Sequence, residues 1–201
     1  MPLCVDYYLA PQSPWVYLGH ARLVELTQRL GVEVRVKPVD LGGQIFPVSG
    51  GLPLGQRAPQ RQQYRLVELQ RFGAWLNQPI NLQPRYFPVG GDLASWLIVA
   101  TQKRLGYAAA LRITGAILTG VWAQERDIAN PDELTAMLTE CNLPGDLMDE
   151  SSGDEIKAIY QANTDEALVA GVFGAPTYAI DGELFWGQDR LDFVERRLTQ
   201  G

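Results

Sequence analysis

The chain has few of the residues that carry metal or redox chemistry. Its 201 residues include two cysteines and one histidine. Cys4 and Cys141 form neither a C-x-x-C pair nor a disulfide framework, so we interpret them as reduced thiols of a cytoplasmic protein. The sequence also lacks a cluster of histidine, cysteine and carboxylate residues with metal-ligand spacing. We therefore expect neither a metal cofactor nor a dithiol redox centre.

Basic residues and long apolar runs are also scarce. The chain has 17 basic and 23 acidic residues, a formal net charge of −6. This balance argues against a broad nucleic-acid surface, because such surfaces neutralise phosphates. The apolar stretch Leu93 to Ala100 is far shorter than the ~18 residues of a membrane span. The N-terminus lacks the pattern of a secretory signal. We expect neither a nucleic acid nor a membrane as partner.

The composition is typical of a globular protein, with 46% apolar and 20% charged residues. A chain of this length buries roughly 70% of its unfolded surface, which is enough to fold without a metal or a disulfide.

The first forty residues predict a β-α-β unit. Leu3 to Leu9 has strand composition and stops before Pro11. Ser13-Pro14 is a helix-start signal, and apolar spacing continues the helix to Gly31. Val32 to Val36 alternates as a strand that ends before Pro38. Such a unit normally forms a parallel strand pair.

The middle of the chain predicts helices after a long loop. Val39 to Pro59 is rich in glycine and proline and is interpreted as a loop, which at this length is usually functional. The helices that follow are predicted from apolar spacing and cap signals. They are Gln60 to Leu76, a helix capped by Asp92, Tyr107 to Gln124, a helix capped by Asn130, and a helix from the Ser152/Glu155 capping box to Gly171.

Strand patterns return at the C-terminal end. Thr177 to Ile180 and Glu183 to Trp186 flank Asp181-Gly182, a strong hairpin signal, and an amphipathic helix runs from Gln188 to Leu198. The fold class is therefore α/β, with a β-α-β…β-β-α sheet. We expect one domain over residues 1–201, with its sheet in about 1–40 and 172–201 and a helical insertion over about 58–171.

Three segments are candidates for function, and each also has an ordinary structural explanation. Ser13 lies at a helix N-terminus, where a hydroxyl can donate to a ligand thiolate or simply cap the helix. Ala175-Pro176 precedes a strand and exposes backbone groups to which an extended peptide can bind. Asp189 either caps a helix or binds a ligand ammonium. His20 is either a general base or a buried helix residue.

Taken together, these pieces resemble the 2-hydroxychromene-2-carboxylate isomerase family, whose relatives are kappa-class glutathione transferases and DsbA-like disulfide oxidoreductases of the thioredoxin fold. The likeness spans nearly the whole chain. The residues that carry it are Val5-Asp6-Tyr7-Tyr8, Ser13-Pro14-Trp15-Val16-Tyr17-Leu18, Phe87-Pro88, Gly171-Val172-Phe173-Gly174-Ala175-Pro176-Thr177 and Phe185-Trp186-Gly187-Gln188-Asp189-Arg190-Leu191.

The resemblance implies a thioredoxin-like fold and glutathione as the cofactor. Ser13 is then expected to bind the glutathione sulfur, and the Ala175 backbone beside a cis Pro176 to pair with the cysteinyl residue. Asp189 and Arg190 are expected to hold the γ-glutamyl end. Relatives of this kind also imply a homodimer and a small aromatic substrate.

Two departures from the family pattern concern glutathione binding. Many relatives carry Asp where this chain has Ala10, and Asn followed by a basic residue where it has Gly51-Leu52. Arg57 and Arg61, just downstream, are our candidates for the missing positive charge.

The expected activity is a glutathione-dependent cis-trans isomerisation of an aromatic 2-oxo acid. The alternatives are a kappa-like glutathione transferase and a glutathione- or peptide-binding module without turnover. Disulfide exchange is disfavoured, because positions 13 and 16 are Ser and Val and leave no redox pair.

Overall fold

A four-stranded mixed sheet forms one part of the fold. The structure is a computed structural model that describes residues 3–200, so the outer ends of the expected domain lie outside the described residues. The strands are β1 (Cys4–Leu9), β2 (Glu33–Pro38), β3 (Thr177–Ile180) and β4 (Glu183–Trp186). Their order is β2-β1-β3-β4, with β1 parallel to β2 and β3 antiparallel to both β1 and β4. The expected α/β sheet is confirmed.

Helix α1 (Pro14–Leu30) follows β1 and begins and ends where the sequence predicts. Ser13 is its N-cap, and Gly31 ends it with φ 65°, a left-handed conformation that glycine adopts without steric cost. Its side chains Val16, Leu18 and Leu23 are fully buried. The helix is therefore fixed between its cap and the core.

The C-terminal hairpin and helix also agree with the sequence. Asp181 and Gly182 both have positive φ, as the tight turn between β3 and β4 requires. A short 3-10 turn (Gln188–Arg190) then leads into α9 (Leu191–Gln200).

The chain between β2 and β3 is mainly helical, and two of its helices pack beside β2. Gln102 accepts a hydrogen bond from the Val36 amide of β2 at 2.7 Å, and Leu97, Ile98 and Ile113 are fully buried. Its α-helices are α2 (Phe46–Ser49), α3 (Pro59–Trp75), α4 (Asp92–Leu105), α5 (Tyr107–Ala123), α6 (Pro131–Glu140), α7 (Leu147–Ser151) and α8 (Asp154–Val169). Among the described residues, no helix is long and apolar enough to cross a membrane.

The prediction of a loop from Val39 to Pro59 is wrong. This segment contains a π-helical turn (Leu41–Ile45), α2 and a 3-10 turn (Leu54–Gln56). The Asp40 carboxylate accepts from the Gly43 amide at 2.7 Å, and Thr164 of α8 accepts from the Asp40 amide at 3.0 Å. These contacts stabilise helical turns that the local glycine content disfavours. β2 also extends through Pro38, which an edge strand tolerates.

Two predicted helix caps are also wrong. Asp92 is the first residue of α4 rather than its cap, which is Gly91. The Ser152/Glu155 capping box does not form, because α8 begins at Asp154 after Gly153 and the Ser152 hydroxyl donates to the Asp149 carbonyl of α7. Asn130 does cap α6, accepting from the Asp132 amide at 2.9 Å.

Candidate functional site

Ser13 is held in the turn that joins β1 to α1. Its amide donates to the Ala10 carbonyl at 2.9 Å, and its Oγ accepts from the Val16 amide at 3.4 Å. The second bond is long, but it makes Ser13 the N-cap of α1, as the sequence predicts. Because the Oγ accepts in this bond, its hydrogen remains available to donate to an anion at the positive end of the helix dipole.

The Ala175-Pro176 loop lies beside this turn. Thr177 pairs with Tyr8 in the antiparallel register of β1 and β3, so the preceding residues run alongside Leu9 and Ala10. The Ala175-Pro176 peptide bond is cis, as the resemblance implies. The buried Thr177 hydroxyl donates to the Gly174 carbonyl at 2.7 Å and fixes the loop.

Ala175 has free backbone groups in this loop. Within residues 3–200 its amide and carbonyl make no hydrogen bond to the protein, whereas the next carbonyl, that of Pro176, accepts from the Gly187 amide at 2.9 Å. An extended peptide can pair with such a free amide and carbonyl in the manner of an added strand.

Asp189 and Arg190 lie in the 3-10 turn after β4. Their side chains are about half exposed and form an ion pair of 3.3 Å. Arg22 of α1 donates to the Gln188 carbonyl at 3.1 Å and so fixes the turn against α1. Gly187 has φ 117°, and a Cβ there would lie 2.6 Å from the Asp189 carboxylate. Glycine is needed here for both the backbone conformation and the space.

The structure brings the three segments to one end of the sheet. The Pro176–Gly187 hydrogen bond joins the proline loop to the Asp189 turn. Gly19 of α1 touches Gln188, so the turn lies against α1 about 9 Å along the helix from Ser13. The roles of these residues in binding stay predictions.

His20 is a buried helix residue rather than a general base. Its Nε2 donates to the Leu111 carbonyl at 3.0 Å, which leaves Nδ1 to accept from the Tyr7 hydroxyl at 3.4 Å. Burial lowers the pKa of His20 to about 4, although the Leu111 carbonyl opposes this shift. The ring is neutral at neutral pH, and both its nitrogens are occupied.

Neither cysteine lies in this region. Cys4 is at the start of β1, whereas Ser13 follows the end of that strand. Cys141 caps the end of α6. Burial raises the pKa of both thiols, which makes them poor nucleophiles. A thiol that reacts at Ser13 would therefore have to come from a ligand.

An arginine from further along the chain, Arg57, contacts the segment around Gly51-Leu52. Arg57 Nε donates to the Leu52 carbonyl at 2.8 Å, and its guanidinium lies 5.9 Å from the centre of the Phe46 ring. Arg57 thus places a cation beside Leu52, while Arg61 is exposed.

Arg65 of α3 is not singled out in the sequence analysis. It is buried, and its guanidinium lies over the rings of Phe87 and Trp122. The helical pattern gives no sign of this, because burial of an arginine on a charged helix depends on packing against α5 and the loop before α4.

A model of the DSBA-like thioredoxin domain family matches residues 4–199. A solved structure of 2-hydroxychromene-2-carboxylate isomerase superposes with a TM-score of 0.79 at 23% identity, covering 98% of this chain and 95% of that chain. This second likeness is one of fold.

Three relatives are similar along nearly the whole chain. The 2-hydroxychromene-2-carboxylate isomerase of Sphingobium xenophagum is 26% identical, over 98% of this chain and 99% of the relative. That of Pseudomonas sp. (strain C18) is 30% identical, over 96% of this chain and 89% of the relative. Glutathione S-transferase kappa 2 of Caenorhabditis elegans is 25% identical, over 98% of this chain and 92% of the relative.

Proposed function

Since this chain belongs to the DSBA-like thioredoxin domain family, we propose that it is a glutathione-dependent isomerase of an aromatic 2-oxo acid or its cyclic hemiketal. Its isomerase relatives support the reaction class, and its kappa transferase relative supports glutathione. We further propose a cytoplasmic homodimer. Light scattering after size exclusion tests the dimer.

The observation that carries the proposal is Ser13. A hydroxyl occupies the helix N-terminus, and neither cysteine lies near it. Such a site cannot exchange disulfides by itself, but it favours a thiolate brought by a ligand, because the hydroxyl donates and the helix dipole attracts negative charge.

The residues present fit a thiol tripeptide. The free amide and carbonyl of Ala175 match the backbone of a bound cysteinyl residue. The Asp189 carboxylate suits an ammonium group, and the Arg190 guanidinium suits a carboxylate. The Asp189 turn lies about 9 Å along α1 from Ser13, and three extended residues span about 10 Å.

Bound glutathione would supply a thiolate that adds reversibly to the electron-poor double bond of the substrate and so permits rotation about it. Ser13 would hold the sulfur and lower its pKa by donating a hydrogen bond. The Ala175 backbone and the Asp189 turn would fix the orientation of the tripeptide. A cationic side chain would hold the substrate carboxylate.

Replacing Ser13 tests the proposal without removing the helix cap. Ser13→Asp keeps a side chain that caps helices well but places a negative charge beside the sulfur. We expect unchanged thermal stability, a raised pKa of the bound thiol measured by thiolate absorbance, and at least a tenfold loss of glutathione-dependent turnover. Ser152→Ala is the control, because Ser152 is the exposed residue that ends α7 and lies outside the site. Undiminished turnover in Ser13→Asp would contradict the assignment.

The second candidate is a glutathione transferase, favoured by the similarity to the kappa 2 enzyme. The two reactions differ in their products. A stable glutathione conjugate indicates transfer, and recovery of free glutathione together with the geometric isomer indicates isomerisation. Calorimetric titration with glutathione at millimolar concentration should be done first. An absence of binding would exclude both the isomerase and the transferase.

A further inference from the structure

Arg65 is buried in the helical part of the protein without a carboxylate partner. The residue is 9% exposed, and its Nη2 has no hydrogen-bond partner within residues 3–200. Burial, followed by the charge of Arg57, lowers its pKa to about 10, and no acidic group opposes that shift. A buried charge of this kind is costly unless something pairs with it.

The groups around Arg65 do not accept a hydrogen bond from it. Its guanidinium carbon lies 5.3 Å from the centre of the Phe87 ring and 5.5 Å from that of Trp122. Cation–π attraction offsets part of the burial cost but supplies no oxygen acceptor. The Trp122 Nε1 is also buried and unpartnered in the described chain. Two neighbouring donors thus lack an acceptor.

A second cation lies at the start of the same helix. The Arg57 carbonyl accepts from the Gln62 side chain of α3 at 2.7 Å, one helical turn before Arg65, and the charge of Arg57 also lowers the pKa of Arg65. The Arg57 side chain is anchored by the Leu52 carbonyl and the Phe46 ring rather than by an acid. Two guanidinium groups near each other without an intervening carboxylate attract an anion.

Arg126 shows how the same fold treats an arginine with a structural role. Its side chain is 15% exposed and pairs with Glu133 at 2.6 Å and Glu140 at 2.8 Å. The described part of the chain provides Arg65 with no comparable partner.

Arg65 is linked to the Ser13 site by packed residues. The Gln12 side chain, next to Ser13, lies against Gly91, four residues after Phe87. In the first turn of α1, Trp15 packs edge-on against Phe72 of α3 at 6.1 Å between ring centres. The helix that carries Arg65 and the loop that carries Phe87 both border the N-terminus of α1.

We propose that Arg65 and Arg57, with the rings of Phe87 and Trp122, form a binding site for the carboxylate of a small organic acid. This deepens the proposed function and rests on it: the carboxylate belongs either to the aromatic 2-oxo acid or to the glycyl end of glutathione. Arg65 donates to the carboxylate oxygens, and the rings contact the apolar part of the ligand.

Paired probes with and without the carboxylate test the site. Phenylpyruvate is compared with its methyl ester, and glutathione with its glycyl ethyl ester, by quenching of tryptophan fluorescence and by calorimetry. We expect the protein to prefer one acid over its ester by at least about tenfold, because a charged hydrogen bond is lost in the ester. The pair that shows the preference identifies the source of the carboxylate.

Arg65→Met and Arg57→Met are the informative variants. Each is expected to reduce the acid preference by about tenfold. The control is Arg196→Met, which removes an exposed arginine that likewise lies over an aromatic ring, Phe193 at 5.8 Å. Circular dichroism verifies folding, and Arg57→Met retains the test if Arg65→Met does not fold.

Three results would overturn the inference: no acid preference for either pair in the unmodified protein, an unchanged preference in both arginine variants, or an equal loss in Arg196→Met. Failure of the proposed function is a separate result. If Ser13→Asp keeps full glutathione-dependent turnover while the acid preference depends on Arg65, the carboxylate site stands and the assigned role of Ser13 fails.

Discussion

His20 and Arg65 are both buried basic residues, but the two regions of the molecule treat them differently. In the core beside the sheet, both His20 ring nitrogens have protein partners, and the ring is neutral at pH 7 because its pKa is lowered to about 4. In the helical region, Arg65 keeps its charge, since a pKa of about 10 lies far above neutrality.

The difference indicates which polar groups serve the fold and which are left for a ligand. The fold itself supplies the partners of the Thr177 hydroxyl, which donates to Gly174, and of the Pro176 carbonyl, which accepts from Gly187. Burial alone therefore does not mark a binding group, and our proposal for Arg65 rests on a buried charge that has no acceptor. Three measurements test this contrast.

The largest expected effect is acid destabilisation through His20. Its pKa is about 4 in the folded chain against 6.5 in the unfolded one, so the unfolded chain binds the proton first as pH falls. The free energy of unfolding should fall by about 3 kcal/mol between pH 6.5 and 4 from this group. Denaturant unfolding at several pH values measures it.

The control is His20→Gln, because the chain has one histidine. The slope of stability against pH should flatten in this variant between pH 6.5 and 4, whatever its absolute stability. A variant slope equal to that of the unmodified protein would show that His20 is not the buried titrating group.

A smaller effect is expected at the Asp189 turn. Gly187→Ala should cost about 2 kcal/mol of stability, because φ 117° suits only glycine. The new Cβ should also displace the Asp189 carboxylate and weaken glutathione binding by tenfold or more. Thermal unfolding and calorimetry measure the two effects.

Gly182→Ala is the matched control, since Gly182 has φ 83° but open space around its Cβ position. It should lose stability without losing glutathione affinity. Equal affinity losses in both variants would mean that Gly187 affects binding only through general stability.

The smallest expected effect is a difference in stability between variants of two arginines, Arg126 and Arg65. Arg126→Met should cost about 1 kcal/mol, a modest value because Glu133 and Glu140 remain partly exposed to water. Arg65→Met should cost no stability or raise it slightly, because a buried charge without a partner is removed. Chemical denaturation without ligand measures both. A larger loss in Arg65→Met would show that Arg65 serves the fold.

The sequence predicts the sheet half of the protein well because its signals are local. The Ser13-Pro14 start, the Gly31 stop and the Asp181-Gly182 turn each depend on a few adjacent residues, and all are confirmed. The segment after β2 was mispredicted as a loop because its turns depend on Asp40 and on Thr164, more than a hundred residues away.

The candidate site likewise contains residues that the sequence predicts and one that it does not. Ser13, Ala175, Pro176, Asp189 and Arg190 were named from motifs, and the structure brings their segments together. Arg65 was missed because its importance depends on the absence of an acid beside it, and only the packing of α3 against Phe87 and Trp122 makes that visible.

The oxygen of Ser13 also determines how the protein would respond to oxidative stress. A cysteine at this position could form a mixed disulfide, and a second cysteine at position 16 could resolve it. This chain has Ser13 and a fully buried Val16 at these positions. A site built on serine has no oxidised form of its own. Under the proposed function, its output follows the supply of reduced glutathione and recovers as soon as that supply returns.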